Sequence, residues 1–261
     1  LVKKLINDYT PKVVRAFDIN EGGLQDLNRD LEMHEKFRAF LGDIRNANRV
    51  KKAMQNTDIV FHLWAYKHLS LLEKNPWEAV STNVMGTENL IDCAIDANTE
   101  FFLNVSTDKS TQFSSTYGAT KFLTEQLIID AANWKGDART IFANARPVNV
   151  LYSDGSVLSY WQSLVSQGKP ICVTHPQVTR FFLSIDETLN FLIKCVTLMK
   201  GSEIFVPCTG VQELRILDLA KKMSENIKIV GLGKGEKLHE LLMDPSEEEK
   251  AEMVDGIWII R

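Results

Sequence analysis

Residues 101–145, FFLNVSTDKSTQFSSTYGATKFLTEQLIIDAANWKGDARTIFANA, contain two short apolar runs on either side of one long helical pattern. The runs at 101–106 and 139–145 predict β-strands, and the segment 116–134 predicts the helix between them. Strands joined through a helix usually run parallel, and parallel sheets are buried on both faces. The stretch therefore predicts an α/β protein built on a parallel sheet.

The same alternation of strand and helix occurs on the N-terminal side of this unit. Strands are predicted at 12–17, 37–44 and 58–64, and helices at 21–34, 47–56 and 75–98. This rhythm predicts a doubly wound, Rossmann-like sheet with helices on both faces. The run 58–64 is apolar enough that we expect it to be buried on both faces.

Beyond residue 150 the pattern loosens into short strands and helices of mixed order. Strands are predicted at 171–175, 203–207, 227–232 and 257–260, and helices at 156–168, 186–200, 214–225 and 236–243. We expect residues 1–150 to form the main domain. Residues 151–261 are expected to form mainly a smaller, mixed α/β lobe, with some segments returning to the main sheet.

The composition narrows the classes of function. The chain has 261 residues and a formal net charge of -4, and no basic block indicates a nucleic-acid partner. No apolar run reaches the roughly 18 residues of a membrane span, so we expect no membrane partner. The four cysteines are scattered along the chain, at Cys93, Cys172, Cys195 and Cys208. Their spacing argues against a metal site and against disulfides, so we expect a reducing cytoplasm and cysteine side chains buried among apolar residues.

Polar residues follow several of the predicted strands directly. Asp18, Asp43, His62–Lys67 and Ser106–Lys109 each stand at the carboxyl end of a strand. A doubly wound sheet binds its ligand beyond the carboxyl ends of its strands. We therefore expect these residues to converge on one functional site.

Tyr117 and Lys121 are four residues apart on the predicted helix and so share a face. An ammonium group beside a phenol favours the phenolate, so we expect Lys121 to lower the pKa of Tyr117 below about 10. Such a phenol can exchange a proton with an alcohol. The motif is short, and a chance match is the alternative.

The turn before this helix adds Thr107, Asp108 and Lys109. The Thr107 hydroxyl is suited to bind the same alcohol, although capping a turn is its alternative role. Asp108 and Lys109 provide a carboxylic acid and an amine, which can serve as general acid and general base. A solvated surface pair is the alternative for these two residues.

Together these motifs resemble the extended short-chain dehydrogenase/reductase superfamily, and more closely its nucleotide-sugar 4,6-dehydratases of polysaccharide biosynthesis. The matching segments are GDIR (42–45), DIVFH (58–62), YKH (66–68), NPWEAVSTNVMGTEN (75–89), STDK (106–109), YGATK (117–121), GSV (155–157), VTRFFLSIDE (178–187), ILDLAKKM (216–223) and GEKLHELL (235–242). The STDK segment is the most discriminating, because related glucose dehydratases resemble it but carry an acidic residue at the Lys109 position.

The resemblance implies a lyase that acts on UDP-N-acetylglucosamine with NAD as cofactor. Tyr117, assisted by Thr107 and Lys121, would take the proton of the sugar 4-hydroxyl as hydride leaves carbon 4. Lys109 would then remove the proton on carbon 5, and Asp108 would protonate the departing 6-hydroxyl. Hydride returns to carbon 6, so the cofactor is not consumed.

The resemblance also implies which residues hold the ligands, with NAD bound by residues 1–150 and the substrate mainly by residues 151–261. A carboxylate at Asp18 favours NAD over NADP, although a helix N-cap is an alternative role for it. For Asn83 the alternative is a residue on the polar face of a helix. The implied cofactor contacts are Asp18, Asp43, Ile44, Ala65, Asn83, Tyr117 and Lys121, and the implied substrate contacts are Lys67, His68, Asn149, Arg180 and Glu236.

The sequence departs from the family pattern in two respects. No G-x-x-G-x-x-G turn precedes Asp18, so we expect the first strand and phosphate-binding loop to be missing, with a less stable sheet and weak NAD binding. Bulky side chains stand where small residues are usual after the third strand, at Leu63, Trp64 and Tyr66. The missing turn concerns how the cofactor is bound, and the bulky side chains concern the size of the cofactor or sugar site and therefore the identity of the sugar.

Two alternatives to a dehydratase follow from these departures and from the motifs. A nucleotide-sugar 4-epimerase or reductase of the same superfamily needs Tyr117 but has no use for Asp108 and Lys109. A catalytically degenerate binding or regulatory domain is the other alternative. For any of them we expect a homo-oligomer, because the long helices 75–98 and 116–134 resemble the usual dimer interface of the superfamily.

Overall fold

A computed structural model describes residues 1–153 and 155–261. The helices of these residues are α1 (Val2–Asp8), α2 (Glu21–Asp30), α3 (Ala47–Met54), α4 (Leu69–Leu72), α5 (Pro76–Ala79), α6 (Gly86–Asp96), α7 (Thr116–Trp134), α8 (Val157–Ser166), α9 (Ile185–Leu198), α10 (Ile216–Met223) and α11 (Pro245–Glu248). A π-helical segment at Val80–Met85 joins α5 to α6, and a 3-10 turn spans Asp108–Ser110.

The strands of the described residues are β1 (Val14–Asp18), β2 (Phe37–Leu41), β3 (Ile59–His62), β4 (Phe101–Val105), β5 (Ile141–Ala145), β6 (Asn149–Val150), β7 (Ile171–Val173), β8 (Thr179–Leu183), β9 (Ile204–Pro207), β10 (Gln212–Arg215), β11 (Ile227–Ile229), β12 (Glu252–Val254) and β13 (Ile257–Ile260). Helices and parallel strands alternate through residue 145, and the predicted α/β class is confirmed.

The main sheet has six strands in the order β12-β13-β9-β5-β4-β3. Strands β3, β4, β5 and β9 run parallel, and β13 and β12 extend the sheet in antiparallel fashion. Strands β1 and β2 form a separate parallel pair. The parallel strands of the main sheet all end at one edge, and this edge carries the candidate site.

The remaining strands build two small sheets, β10-β8-β6 and β11-β7. These sheets share an apolar cluster with α8 and α10, centred on the buried Trp161 and Phe182. Strands β9, β12 and β13, which also follow residue 150, lie in the main sheet. The division of roles between residues 1–150 and 151–261 stays a prediction.

Two predicted helices differ from the structure. The helix predicted over 75–98 is interrupted, because its hydrogen bonds widen to a π-helical turn at Val80–Met85. The helix predicted over 236–243 is absent from these residues, all of which are described. The carbonyls of Lys237 and Leu238 instead accept hydrogen bonds from the guanidinium of Arg180, at 2.9 and 3.1 Å. A long-range contact therefore replaces the helix.

Two predictions of burial are wrong. Strand β3 is not buried on both faces: Ile59 is 45% exposed, because β3 is an edge strand and β1 pairs with β2 instead. Of the cysteines, Cys93 and Cys195 are buried, but Cys172 and Cys208 are exposed. In β7 the side chains alternate between the two faces, and Cys172 points away from the core.

A buried ion-pair network fastens the C-terminal part of the chain beneath the main sheet. Arg146, which follows β5, donates to both carboxylate oxygens of Glu125 on α7 at 3.1 and 2.9 Å. It also donates to both oxygens of Glu247 on α11, at 2.8 Å each. Glu247 in turn accepts from the backbone N–H of Asp244 and so closes a capping box.

We expect Arg146→Met to lower the free energy of unfolding by about 3–5 kcal/mol, because it leaves the buried Glu125 carboxylate without its cation. Urea unfolding measures this change. The control is Arg29→Met, which removes an exposed ion pair with Asp26 and should cost no more than about 1 kcal/mol. Equal losses in the two variants would contradict the assignment of a stabilising role to the network.

Candidate active site

The candidate site lies where β4 ends and α7 begins. The hydroxyl of Ser115 caps α7 by accepting from the backbone N–H of Gly118 at 3.1 Å. A Cβ atom at Gly118 would lie 2.3 Å from the carbonyl oxygen of Lys109, so only glycine allows this approach. The glycine therefore brings the first turn of α7, with Tyr117, against the turn that carries Asp108 and Lys109.

Asp108 and Lys109 form a buried ion pair, and the alternative of a solvated surface pair is wrong. Asp108 is 1% exposed, and its Oδ1 accepts from Lys109 Nζ and from the Thr107 hydroxyl, each at 2.9 Å. Asn149 on β6 completes the group: its Oδ1 accepts from Lys109 Nζ at 3.2 Å, and its Nδ2 lies 3.4 Å from Asp108 Oδ2. A second amide contact, to the carbonyl of Phe181 at 2.8 Å, fixes Asn149.

Tyr117 is partly buried beside this group. Burial, followed by the negative charge of Asp108, raises the pKa of Tyr117 above its ordinary value, and a hydrogen bond to Thr107 opposes this only in part. The predicted lowering of this pKa by Lys121 is therefore wrong. Loss of solvent around the phenol outweighs any effect of the lysine one turn away.

Lys121 is 1% exposed on the same face of α7. Burial lowers the pKa of Lys121 from 10.5 to about 8, and the charge of Glu125 opposes that shift. His62, at the end of β3, is also buried, and its Nε2 lies 2.9 Å from the hydroxyl of Thr87. Burial and the charge of Lys121 lower the pKa of His62 to about 3, so this imidazole is neutral.

Asn83 holds the loop after β3 in place from within the π-helical turn. Its Oδ1 accepts from the backbone N–H of Tyr66 at 2.8 Å, and its Nδ2 donates to the Tyr66 carbonyl at 3.0 Å. A third contact, 3.1 Å long, joins it to Thr120 on α7. Because Asn83 is buried, the alternative that it lies on the polar face of a helix is wrong. Ala65 lies half-buried in the loop that Asn83 holds.

Three of the predicted cofactor contacts, Asp18, Asp43 and Ile44, lie near the carboxyl ends of β1 and β2. Asp18 is exposed and accepts from the backbone N–H of Asn20 at 2.9 Å. The N-cap of α2 is Asn20, so the alternative N-cap role of Asp18 is wrong. Asp43 pairs with Arg45 at 2.6 Å, a contact that lowers the pKa of Asp43. Ile44 beside it is fully buried.

The residues predicted to contact substrate lie in two places besides Asn149. Arg180 and Glu236 are joined at 3.4 Å, and Glu236 also accepts from the Thr174 hydroxyl at 2.8 Å. The Arg180 guanidinium further donates to the carbonyls of residues 179, 237 and 238. Lys67 and His68 are exposed in the loop after β3, and the His68 ring lies against Gly155.

Several site residues were not predicted from the sequence. Ser110 donates to Glu125 Oε1 at 2.8 Å and so connects the 3-10 turn to the Arg146 network. Glu73 accepts from the backbone N–H of Thr116 at 2.6 Å, at the start of α7. The signal for Glu125 was present, because it follows Lys121 by four residues on one helix face. No local pattern indicated Glu73, or Glu240, which is discussed below.

No helix among residues 1–153 and 155–261 is long and apolar enough to cross a membrane. One relative nevertheless bears a membrane name: an uncharacterised membrane protein of Methanocaldococcus jannaschii is 40% identical over 273 residues, covering 100% of this chain and 81% of that protein.

Two further relatives carry enzyme names. A UDP-N-acetylglucosamine 4,6-dehydratase (inverting) of Campylobacter jejuni is 33% identical over 253 residues, covering 94% of this chain and 73% of that enzyme. A UDP-glucose 4-epimerase of Rickettsia typhi is 31% identical over 266 residues, covering 100% of this chain and 76% of that enzyme. The two names agree on a nucleotide-sugar substrate and differ on the reaction.

Solved structures show the same fold. Pen from Bacillus thuringiensis matches with a TM-score of 0.94 and 34% identity, covering 99% of this chain and 82% of that one. The dTDP-glucose 4,6-dehydratase DesIV from Streptomyces venezuelae, with NAD and TYD bound, matches with a TM-score of 0.83 and 18% identity, covering 95% of this chain and 85% of that one. At that identity, the second match speaks for the fold alone.

The model of the family described as polysaccharide biosynthesis protein matches residues 1–261. The relatives named above place this family among enzymes of nucleotide sugars. The chain therefore belongs to the polysaccharide biosynthesis protein family, within the nucleotide-sugar dehydratase and epimerase superfamily.

Proposed function

We propose that the chain is a nucleotide-sugar 4,6-dehydratase that uses NAD and acts on UDP-N-acetylglucosamine. The buried ion pair between Asp108 Oδ1 and Lys109 Nζ carries the proposal. An epimerase or reductase needs one proton-transfer group for the carbon-4 alcohol, whereas a dehydratase needs a second acid and base to remove water. The dehydratase name of the Campylobacter relative supports the same reaction.

In the first step, Tyr117 removes the proton of the sugar 4-hydroxyl, and the Thr107 hydroxyl orients that oxygen. NAD, when bound, accepts hydride from carbon 4 and later returns it to carbon 6. Burial and Asp108 raise the pKa of Tyr117, and the hydrogen bond from the Thr107 hydroxyl opposes this shift and favours the phenolate that accepts the proton. The buried, neutral His62 adds no competing charge at this end of the site.

In the second step, Asp108 and Lys109 eliminate water. Moving one proton along their 2.9 Å hydrogen bond converts the ion pair into a carboxylic acid and a neutral amine. The amine of Lys109 then takes the proton from carbon 5, while Asp108 donates its proton to the departing 6-hydroxyl. Lys109, whose protons exchange with solvent, then donates a proton to carbon 5 as carbon 6 is reduced. Asn149 contacts both side chains and fixes their positions relative to each other.

Residues near the carboxyl ends of β1 and β2 support NAD as the cofactor. Asp18 presents an exposed carboxylate at the carboxyl end of β1, which favours a ribose 2′-hydroxyl over a 2′-phosphate. Residues 43 and 45–48 line an open cavity that includes the predicted cofactor contact Asp43. NADP is the less favoured cofactor.

Two rival functions have specific support. The Rickettsia relative bears an epimerase name, and the epimerase reaction needs only the Tyr117 half of the site. A binding or regulatory domain without activity is supported by the bulky side chains after β3, at Leu63, Trp64 and Tyr66. The homo-oligomer expected from the long helices stays a prediction.

We expect Lys109→Ala to reduce formation of the 4-keto-6-deoxy sugar by about 10²–10⁴-fold, because the base at carbon 5 is lost. Proton NMR of UDP-N-acetylglucosamine incubated with saturating NAD measures the product. Lys52→Ala, which removes an exposed lysine on α3, should leave the rate unchanged. Equal rates of 4-keto-6-deoxy sugar formation in parent and Lys109→Ala would contradict the role of Lys109, and a 4-epimer formed by the parent in place of that product would favour the epimerase.

We expect Gly118→Ala to abolish most activity, because its Cβ would press α7 away from the Lys109 carbonyl. The same measurement of product formation applies. The matched control is Gly22→Ala in the first turn of α2, where the nearest atom lies at an ordinary 3.6 Å. A fully active Gly118→Ala enzyme would show that the close approach is not needed for catalysis.

We expect Lys121→Met to abolish activity and yet to stabilise the fold at pH 7 by about 1–3 kcal/mol. The pKa of Lys121 falls to about 8 on folding, so burying its charge has its full cost below that pH. Between pH 8 and 10.5 the unfolded chain binds the extra proton, so the parent gains stability as pH rises. Urea unfolding should therefore show the difference between the two proteins shrinking from pH 7 to pH 10; a constant difference would refute this account.

A further inference from the structure

Glu240 is a buried carboxyl group that the proposed reaction does not use. It is 6% exposed, and its Oε2 makes no hydrogen bond with any described residue. The same oxygen lies 3.5 Å from Lys237 Nζ, which is ion-pair distance. A buried carboxylate without a hydrogen bond is costly, so its charge depends strongly on the surrounding groups.

Charged groups from three elements surround Glu240. The turn Asp108–Ser110 contributes Asp108 and Lys109, β8 contributes Arg180, and its own segment contributes Lys237. Lys237 also donates to the carbonyl of Thr111 at 2.8 Å, so this segment contacts the residue that directly follows the turn Asp108–Ser110.

With Glu236, which pairs with Arg180, the cluster has three basic and three acidic side chains. Its members are Lys109, Arg180, Lys237, Asp108, Glu236 and Glu240. The cluster is therefore formally neutral when every member is ionised. An anionic ligand that enters such a cluster adds negative charge that no free cation balances.

We propose that Glu240 takes up a proton from solvent when the diphosphate of a nucleotide sugar binds beside Arg180. The inference rests on the substrate class of the proposed function. Protonation removes one negative charge and releases Lys237, the ion-pair partner of Glu240 at 3.5 Å, to neutralise the diphosphate. Glu240 is thus a charge-adjusting residue of the substrate site, and it takes no part in bond making.

The electrostatics of the site support this direction. Burial raises the pKa of Glu240, and Asp108 adds to the effect, whereas Lys109, Arg180 and Lys237 oppose it. A diphosphate that engages Arg180 and Lys237 weakens the two opposing charges, so the pKa of Glu240 rises further. Affinity for the ligand should then fall as pH increases, because binding consumes a proton.

Isothermal titration calorimetry with UDP-N-acetylglucosamine tests the inference at pH 7, in two buffers that differ in ionisation enthalpy. The diphosphate diester of this ligand does not titrate near neutral pH, so proton uptake reports on the protein. We expect the parent to take up a measurable fraction of a proton per ligand bound, because the pKa of Glu240 is raised by burial and rises further on binding. Glu240→Gln should bind the ligand with this uptake lost. Glu249→Gln, an exposed control in the same part of the chain, should behave like the parent.

Binding by the parent without proton uptake, or equal uptake by Glu240→Gln, overturns this inference and leaves the proposed function standing. Absence of binding overturns both. If Glu240→Gln does not fold, as judged by circular dichroism, carbon-13 NMR of glutamate carboxyl groups in the parent replaces it. One buried carboxyl resonance should then move to the protonated position on ligand addition, and a set of unchanged resonances would overturn the inference.

Discussion

The buried ion pair between Asp108 and Lys109 is the interaction on which the candidate site depends. A carboxylate with 1% exposure persists inside a protein only when cations and hydrogen-bond donors surround it. Lys109, Thr107 and Asn149 provide these contacts, and each comes from a position that the fold must hold within a few tenths of an ångström. Displacing any of the supporting elements would leave a charge buried without compensation.

The supporting elements meet this demand in different ways. Gly118 allows α7 to lie directly against the carbonyl of Lys109. Ser110, in the turn Asp108–Ser110, donates a hydrogen bond to Glu125. Glu125 pairs with Arg146 and so connects this turn to the C-terminal segment. Helix α7 carries Tyr117, Lys121 and Glu125 at intervals of four residues, so that one helix face presents the two residues proposed for proton transfer and cofactor binding and the residue that anchors Arg146.

Much of this arrangement follows from local patterns in the sequence. The helix over 116–134 was predicted with its observed bounds, and the side chain of Ser115 caps its start. The structure brings Asn149 into contact with the Asp108–Lys109 pair, and neither this contact nor the burial of Asp108 was evident from the neighbouring residues in the sequence. The pKa of Tyr117 was predicted in the wrong direction, because the sequence shows the neighbouring lysine but not the loss of solvent.

Residues 236–243 were assigned to a helix, and the hydrogen bonds from Arg180 that prevent it span more than 50 positions. Glu240 went unnoticed for the same reason.

The central claim is that one site oxidises carbon 4 and then removes water across carbons 5 and 6. The most direct measurement is NMR of the product formed from UDP-N-acetylglucosamine and NAD in deuterium oxide. The account predicts a 4-keto-6-deoxy sugar with a methyl group at carbon 6 and deuterium at carbon 5, since Lys109 exchanges its proton with solvent. A product that retains its 6-hydroxyl group and differs only in configuration at carbon 4 would contradict it.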